Sequence, residues 1–419
     1  MLLHLTQSER DALNGSDGDA TAMAMRIVVA AGDLLGADSL VEVSSAHIDG
    51  CLHHGDGGVE FAEALVRGGG RVAVPTTLNV GALDLLHPGA VRADAHKTDM
   101  ARRQMNAYVK MGAEATFTCA PYQVGHEPGV GEQVAWGESN AIAFVNSVLG
   151  ARTERYGDFL DACCAISGRA PFYGLHKEEN RRARVVVDVS RVPASLKARD
   201  VFFPVLGTWL GLEVGQEIAA IVGLPESVTR DQLKALGAAA ASTGAVALFH
   251  VVGVTPEAPT LEAVSGGEVL PLIEATPDKI MPALERLSTA HQADGVDAIA
   301  VGSPHFSLDE FDSLRRFLSG RHLSIPFYVC TARGTLRTLD ERGHTKALRS
   351  AGVEIIADTC VVVTPILPAV NGVLMTNSGK FAHYGPSNTG YEVLYGSLED
   401  CVESGVQGRV VRDAEVWSW

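Results

Sequence analysis

The sequence predicts an α/β protein of several lobes with mostly parallel sheets, and three observations carry that prediction. Apolar runs of strand length alternate with helical patterns along most of the chain, as βαβ connections and parallel sheets require. The length of 419 residues exceeds the roughly 100–200 residues of an ordinary single domain. Glycine is abundant at 44 residues, as in turn-rich α/β proteins.

Thr6 and Glu9 stand at the spacing of a capping box, and TAMAMRIVVAAGDLLG continues as a long helical pattern. In the first third SLVEVSSAHI, RVAVPTT and EATFTC read as strands, with FAEALVRGG and TDMARRQMNAYVKMG as helices between them. SNAIAFVNSVLGAR and GDFLDACCAISG add two helices. In the central block RVVVDVS and EIAAIVG read as strands around the apolar helix DVFFPVLGTWLGLEVG. In the last third AVALFHVVG, DAIAVGS, IPFYVCT and VEIIADTC read as strands. DKIMPALERLST, SLDEFDSLRRFLSG and GTLRTLDERGHTKALRSAG read as helices. Soft boundaries near EENRRARVVV and GVTPEAPTLEAV divide the chain into a first α/β lobe (1–182), a central connecting block (183–255) and a C-terminal α/β lobe (256–419).

Lys plus Arg total 34 against 50 Asp plus Glu, a formal net charge of −16. That excludes a broad electrostatic footprint on nucleic acid but leaves room for a local cationic pocket. Hydrophobic residues at 46% and charged residues at 20% are ordinary for a globular protein. No apolar run approaches the ~20 residues that cross a bilayer, so no membrane partner is expected. MLLHLTQSERDALNG lacks the basic start and cleavage site of an export signal. A cytoplasmic location is the resulting expectation.

Seven cysteines in a long chain without an export signal do not read as a disulfide framework. Cys119, Cys330 and Cys360 each close an apolar strand-like run, at the sheet edge where α/β proteins bind ligands. Three thiolates are soft ligands for an iron–sulfur cluster, zinc or copper(I), and three leave one position open for a substrate. The alternative is that each is a small buried hydrophobe. That second reading is the expectation for Cys163 and Cys164, adjacent on one helix, and for Cys401.

Several polar segments follow strand runs. SSAHIDGCLHHGDGG carries His47, Asp49, Cys51, His53 and His54, an imidazole metal site or simply a polar loop. PTTLNVG carries Asn79. GESNA precedes a helix, so its amides suit an anion, unless Ser139 is only an N-cap. GLHKEENRR, with Lys177, Glu178 and Arg182, reads as a solvated surface. NSGKFAHYG places Lys380 in a glycine-containing loop, suited to a carboxylate or phosphate or else merely exposed. No GxGxxG, Walker A, GxSxG or HExxH pattern occurs.

PTTLN, TCAPY, WGESNAIAFVNSVLGART, GLHKEEN, GSPHFSLDE, ADTCVVV and TNSGKFAHY together resemble the large subunit of aconitase X, and the resemblance runs through nearly the whole chain. It implies an aconitase-like fold, an iron–sulfur cluster and a dehydratase activity. It also implies a small swivelling-domain subunit as heterodimer partner, because no segment of that size is evident here. The serine regarded as proton acceptor in the family lies in that small domain, so the catalytic base is expected on the partner and none is assigned here.

The resemblance implies that Gly50, Cys51, Leu52, Asn79, Val80 and Lys380 line the substrate pocket, with Ser139 as a further candidate. Cys119 and Cys360 carry over as cluster ligands. Gly302-Ser303-Pro304-His305 stands where the archaeal-like pattern has GCPH, so one ligand is missing, and Cys330 is our inferred replacement. The changed set leaves a two-iron cluster open beside the usual four-iron one. The archaeal-like pattern also has HVSGVSY at His47–His53. Both departures favour dehydration of cis-3-hydroxy-L-proline to Δ1-pyrroline-2-carboxylate over dehydration of mevalonate 5-phosphate. A non-catalytic iron-binding scaffold is the alternative from another class.

Overall fold

The structure, a computed structural model, describes residues 3–291, 293–368 and 371–418. The chain forms two compact units. One comprises Met1–Leu83 and Ala93–Arg182, the other Asp84–Arg92 and Ala183–Trp419.

The first unit opens with α1 (Gln7–Leu13), where Thr6 and Glu9 form the expected capping box. α2 (Asp19–Leu35) stops at Gly36, whose φ of 73° suits a residue without Cβ. Then follow β1 (Leu40–Glu42), β2 (Ala46–Ile48), α3 (Asp56–Arg67), β3 (Thr76–Leu78) and α4 (Ala95–Lys110). β4 (Ala135–Trp136), α5 (Ser139–Phe144), α6 (Leu160–Ser167) and β5 (Arg169–Pro171) complete it. β2 is the centre of a parallel sheet ordered β3-β2-β4, and β1 pairs antiparallel with β5.

Two expected strands differ here. RVAVPTT is strand only from Thr76, because the amides of Val72 and Ala73 bond to Met111 and Ala165 instead. EATFTC is not a strand beyond one bridge at Glu114. The Thr116 hydroxyl accepts the Leu78 N–H at 2.9 Å, and Phe117 turns the chain with φ 42°. Cys119 therefore sits in an irregular segment.

The second unit holds two parallel sheets. β6 (Val185–Asp188), α7 (Ala194–Lys197), α8 (Phe202–Val214), β7 (Ala219–Val222), α9 (Arg230–Gly244), β8 (Phe249–Val251), α10 (Leu261–Ser265) and β9 (Leu272–Glu274) build the first, ordered β8-β7-β6-β9. α8 is apolar on nearly all sides and buried. It packs on α9 so closely that a Cβ on Gly207 would lie 2.2 Å from the Leu236 carbonyl oxygen.

The second sheet is built from α11 (Pro277–Arg286), β10 (Ala298–Val301), α12 (Leu308–Leu318), β11 (Phe327–Thr331), α13 (Arg333–Glu341), α14 (His344–Ser350) and β12 (Val353–Ala357). β13 (Val373–Thr376), α15 (Gly379–Thr389), β14 (Glu392–Tyr395) and α16 (Leu398–Gln407) complete it. All five strands are parallel, ordered β12-β11-β10-β13-β14. Val329 faces the cluster formed with Phe311 and Leu336, whereas Cys330 faces the opposite one with Phe381.

GTLRTLDERGHTKALRSAG forms two helices, not one, because Gly343 breaks it in the left-handed region. Cys330 lies inside β11 rather than past its end, and Cys360 stands three residues beyond β12. Lys380 is in the first turn of α15 rather than a loop, since Ser378 caps that helix by accepting the Phe381 N–H.

The segment Asp84–Arg92 straps onto this second sheet. The fully buried Asp84 carboxylate accepts the Ala357 N–H at 3.0 Å and the His87 N–H at 2.7 Å, and Arg92 donates to the Ile366 carbonyl at 3.0 Å. Among the described residues no helix is long and apolar enough to cross a membrane.

Candidate active site

In the first unit the chain leaves β2 into the loop Asp49–Leu52, and three neighbours fix its backbone. The Asp161 carboxylate, at the start of α6, accepts the Asp49 N–H at 2.5 Å and also bonds the Gly50 amide. Gln104 on α4 donates to the carbonyls of Gly50 at 2.6 Å and Leu52 at 3.3 Å. The buried Cys51 thiol donates to the Asn79 carbonyl at 2.9 Å. Asn79, just past β3, is itself buried and donates through Nδ2 to Asp49 Oδ1. The loop is thus preorganised by side chains from three other elements, as a binding site requires.

Carboxylates dominate its electrostatics. Burial, then the charges of Asp158, Glu138 and Asp161, push the Asp49 carboxyl well above the usual carboxylate range. Burial pushes Asp161 up to about 7, opposed by the amides it accepts. Burial likewise drives the Cys51 thiol up, so it is a protonated hydrogen-bond donor and not a nucleophile. The wall opposite is tight. A Cβ on Gly137 would lie 2.5 Å from Asp161 Oδ2 and 2.8 Å from Asp49 Cβ. Glu138 (φ 71°) and Phe159 (φ 77°) hold the left-handed backbone that favours glycine, a strain found where function over-determines the local structure.

The predicted substrate residues Gly50, Cys51, Leu52, Asn79 and Val80 come together around this loop. Ser139 follows Glu138, whose charge acts on Asp49, and its hydroxyl lies 3.2 Å from Glu138 Oε1. The N-cap of α5 is Glu138 and not Ser139, because the Glu138 carboxylate takes the Ala141 N–H at 2.8 Å. An anion at those amides would compete with that carboxylate. Among the described residues His47 belongs to no metal-binding group. It is buried, with Nδ1 2.9 Å from the Thr77 hydroxyl, and burial drives its pKa well down. His53 lies 3.4 Å from Asp56. Gln104 and Asp161 were not singled out from sequence, and Asp49 was named there only within a polar segment read as a metal site or a loop. They stand as far as 112 residues apart and share no motif.

In the second unit β10, β11 and β12 succeed one another on one side of the sheet, and β13 and β14 lie on the other. The β10–β13 junction is therefore the switch point at which α/β sheets open a crevice. Gly302–Ser303 leaves β10 there and Asn377–Ser378 leaves β13, tied by a hydrogen bond from the Ser378 hydroxyl to the Ser303 carbonyl. Ser303, Pro304, Ser378, Asp231, Lys234 and Glu310 line a cavity of about 180 Å³. Lys234 is buried and paired with Asp231 at 2.8 Å and Glu310 at 2.5 Å, so its charge is already neutralised. Lys380 follows on α15, partly buried.

Cys330 and Cys360 are both buried and belong to one apolar cluster on the same side of this sheet. As soft donors they fit an iron–sulfur cluster in kind. They are two, and among the described residues no three His, Cys, Asp or Glu side chains gather into a metal-binding group, so further donors must come from elsewhere. Cys119, in the first unit, is buried, and its carbonyl accepts from Asn140 at 2.8 Å. Cys163, Cys164 and Cys401 are buried as well.

Comparison with known proteins identifies the chain. Models of the aconitase X first, second and third domains match residues 2–179, 183–280 and 296–407. The chain is 39% identical to cis-3-hydroxy-L-proline dehydratase of Pseudomonas aeruginosa, over 97% of this chain and 70% of that protein. It is 40% identical to the protein of that name from Hypocrea jecorina, over 97% of this chain and 69% of that one. To the phosphomevalonate dehydratase large subunit of Methanothermobacter thermautotrophicus it is 38% identical, over 94% and 96% of the respective chains. The crystal structure of Thermococcus kodakaraensis aconitase X in its holo-form matches with a TM-score of 0.86 at 34% identity, covering 96% of this chain and 100% of that one. The chain belongs to the aconitase X family and is a hydro-lyase, a dehydratase of that family.

Proposed function

We propose that this chain is the large, iron–sulfur-bearing subunit of a dehydratase that converts cis-3-hydroxy-L-proline to Δ1-pyrroline-2-carboxylate. One observation carries the choice of substrate. The charges acting on Asp49 in the Asp49–Leu52 loop are those of Asp158, Glu138 and Asp161, all acidic. A phosphate dianion would be repelled there, whereas an amino acid brings a cation.

The reaction breaks the C2–H and C3–O bonds, releases water, and forms an enamine that tautomerises to the imine. The Asp49–Leu52 loop, Asn79, Val80 and Ser139 orient the ring. Lys380 holds the carboxylate and stabilises charge growing at C2. A base on a small swivelling-domain subunit takes the C2 proton. Cys119, Cys330 and Cys360 would hold the cluster, which would supply Lewis acidity for hydroxyl departure.

The chain co-expressed with its small subunit is assayed with both substrates. Turnover of cis-3-hydroxy-L-proline is expected, and turnover of mevalonate 5-phosphate alone would overturn the proposal. Lys380→Ala should raise KM while iron content stays constant, and wild-type kinetics would remove Lys380 from the site.

A further inference from the structure

We propose that Asp49 determines specificity by accepting the secondary ammonium of the substrate ring, with Asn79 Oδ1 as the second acceptor. This deepens the hydroxyproline reading and rests on it. Asn79 is only 2% exposed, and its Nδ2 is committed to Asp49 Oδ1. The other end of the same amide, Oδ1, is buried with no hydrogen-bond partner. A buried acceptor left unsatisfied costs about 1–3 kcal/mol, and native structures rarely leave one without a reason. An N–H donor arriving beside Asp49 removes that cost.

The carboxylate next to it calls for the same ligand. A carboxylate has about four lone-pair positions, and the side-chain bond from Asn79 uses one of them. Asp49 is only partly buried, whereas Asp161 behind it is fully buried and turned to backbone amides. Burial, and after it the charges of Asp158, Glu138 and Asp161, make Asp49 hold a proton more tightly than an ordinary carboxyl. A substrate cation takes the place of that proton, which leaves to solvent.

A ring NH₂⁺ has two hydrogens and one charge. Asp49 and Asn79 Oδ1 provide two acceptors, one of them anionic. A ring oxygen or a phosphate in the same place brings no N–H for Asn79 Oδ1 and no cation to pair with an ionised Asp49, which is how a site rejects a near-isostere.

The test uses the co-expressed complex and two inhibitors of one shape, L-proline and its ring-oxygen analogue tetrahydrofuran-2-carboxylate. Wild type should bind L-proline roughly 10- to 100-fold more tightly, the range for hydrogen bonds to a charged group. Asp49→Asn should lose most of that preference through weaker L-proline binding, with the ring-oxygen analogue binding as before. Most of its loss on cis-3-hydroxy-L-proline should appear in KM. Asp49→Glu should restore part of the preference.

Equal weakening of both inhibitors would assign Asp49 a merely structural role and overturn the proposal, as would a wild type with no preference. Hydroxyproline turnover without the preference removes Asp49 alone. Turnover of mevalonate 5-phosphate alone removes the substrate reading and this proposal with it.

Discussion

Replacing Asp161 by asparagine is expected to change how stability depends on pH, and the structure sets the size of the effect. The Asp161 side chain is fully buried and accepts N–H groups of Asp49 at 2.5 Å and Ala162 at 2.6 Å. These bonds favour the anion, but burial outweighs them and carries the group from 3.8 to about 7. Below about pH 4 both folded and unfolded chains hold the proton, and the shift has no effect. Between about 4 and about 7 the unfolded chain releases it while the folded chain keeps it, so stability falls as pH rises.

About 3 pH units at 1.36 kcal/mol each amount to about 4 kcal/mol by neutral pH. Asparagine has no such titration, and any change it makes in hydrogen bonding is a constant offset. Urea unfolding can be followed through Trp136, the sole tryptophan in the first unit, with Trp209, Trp417 and Trp419 replaced by phenylalanine. Between about pH 4.5 and about 8 the stability of the Asp161 protein minus that of Asp161→Asn should fall by about 3 kcal/mol. A difference that stays flat across that range would refute the argument.

Three further outcomes are expected, the first resting on the proposed cluster and the others on the geometry. Cys119→Ser, Cys330→Ser and Cys360→Ser should each abolish the brown absorbance, and unchanged iron and sulfide in any one variant would remove that residue as a ligand. Gly137→Ala forces a methyl to within 2.5 Å of Asp161 Oδ2. It should cost about 1–3 kcal/mol and depress turnover, with iron content as the control. Lys234→Met leaves Asp231 and Glu310 facing one another without their shared cation. Such a break typically costs about 3–5 kcal/mol, to be read as a lowered Tm, and adding Glu310→Gln should recover part of it.

The sequence made the alternation of strands and helices legible, and the Thr6–Glu9 capping box located the start of α1, although the helical pattern read behind it is a separate helix, α2. It was least legible where side chains replace backbone partners. The Thr116 hydroxyl occupies a ladder position next to β3, so an apolar run that looks like a strand is not one. Gly379 and Pro386 disguise α15 as a loop, although Ser378 caps it. In the site, Cys51 and Asn79 were visible through motif resemblance. Asp161 was not, because an acidic residue at the start of an apolar helix looks like any first-turn charge until the Asp49 amide is found on it.

The strap Asp84–Arg92 also has a consequence in time. Asp84 lies 273 residues ahead of Ala357, the amide it bonds. At roughly 5–20 residues per second of synthesis, it waits on the order of 14–55 s before that partner emerges. A buried carboxylate is the right group for such a wait, since it stays hydrated and soluble until its donor arrives. The second unit is therefore completed by a piece of chain made long before the rest of it. A fragment beginning at Ala183 would lack that piece, and the Ala357 N–H would lose the acceptor that holds it.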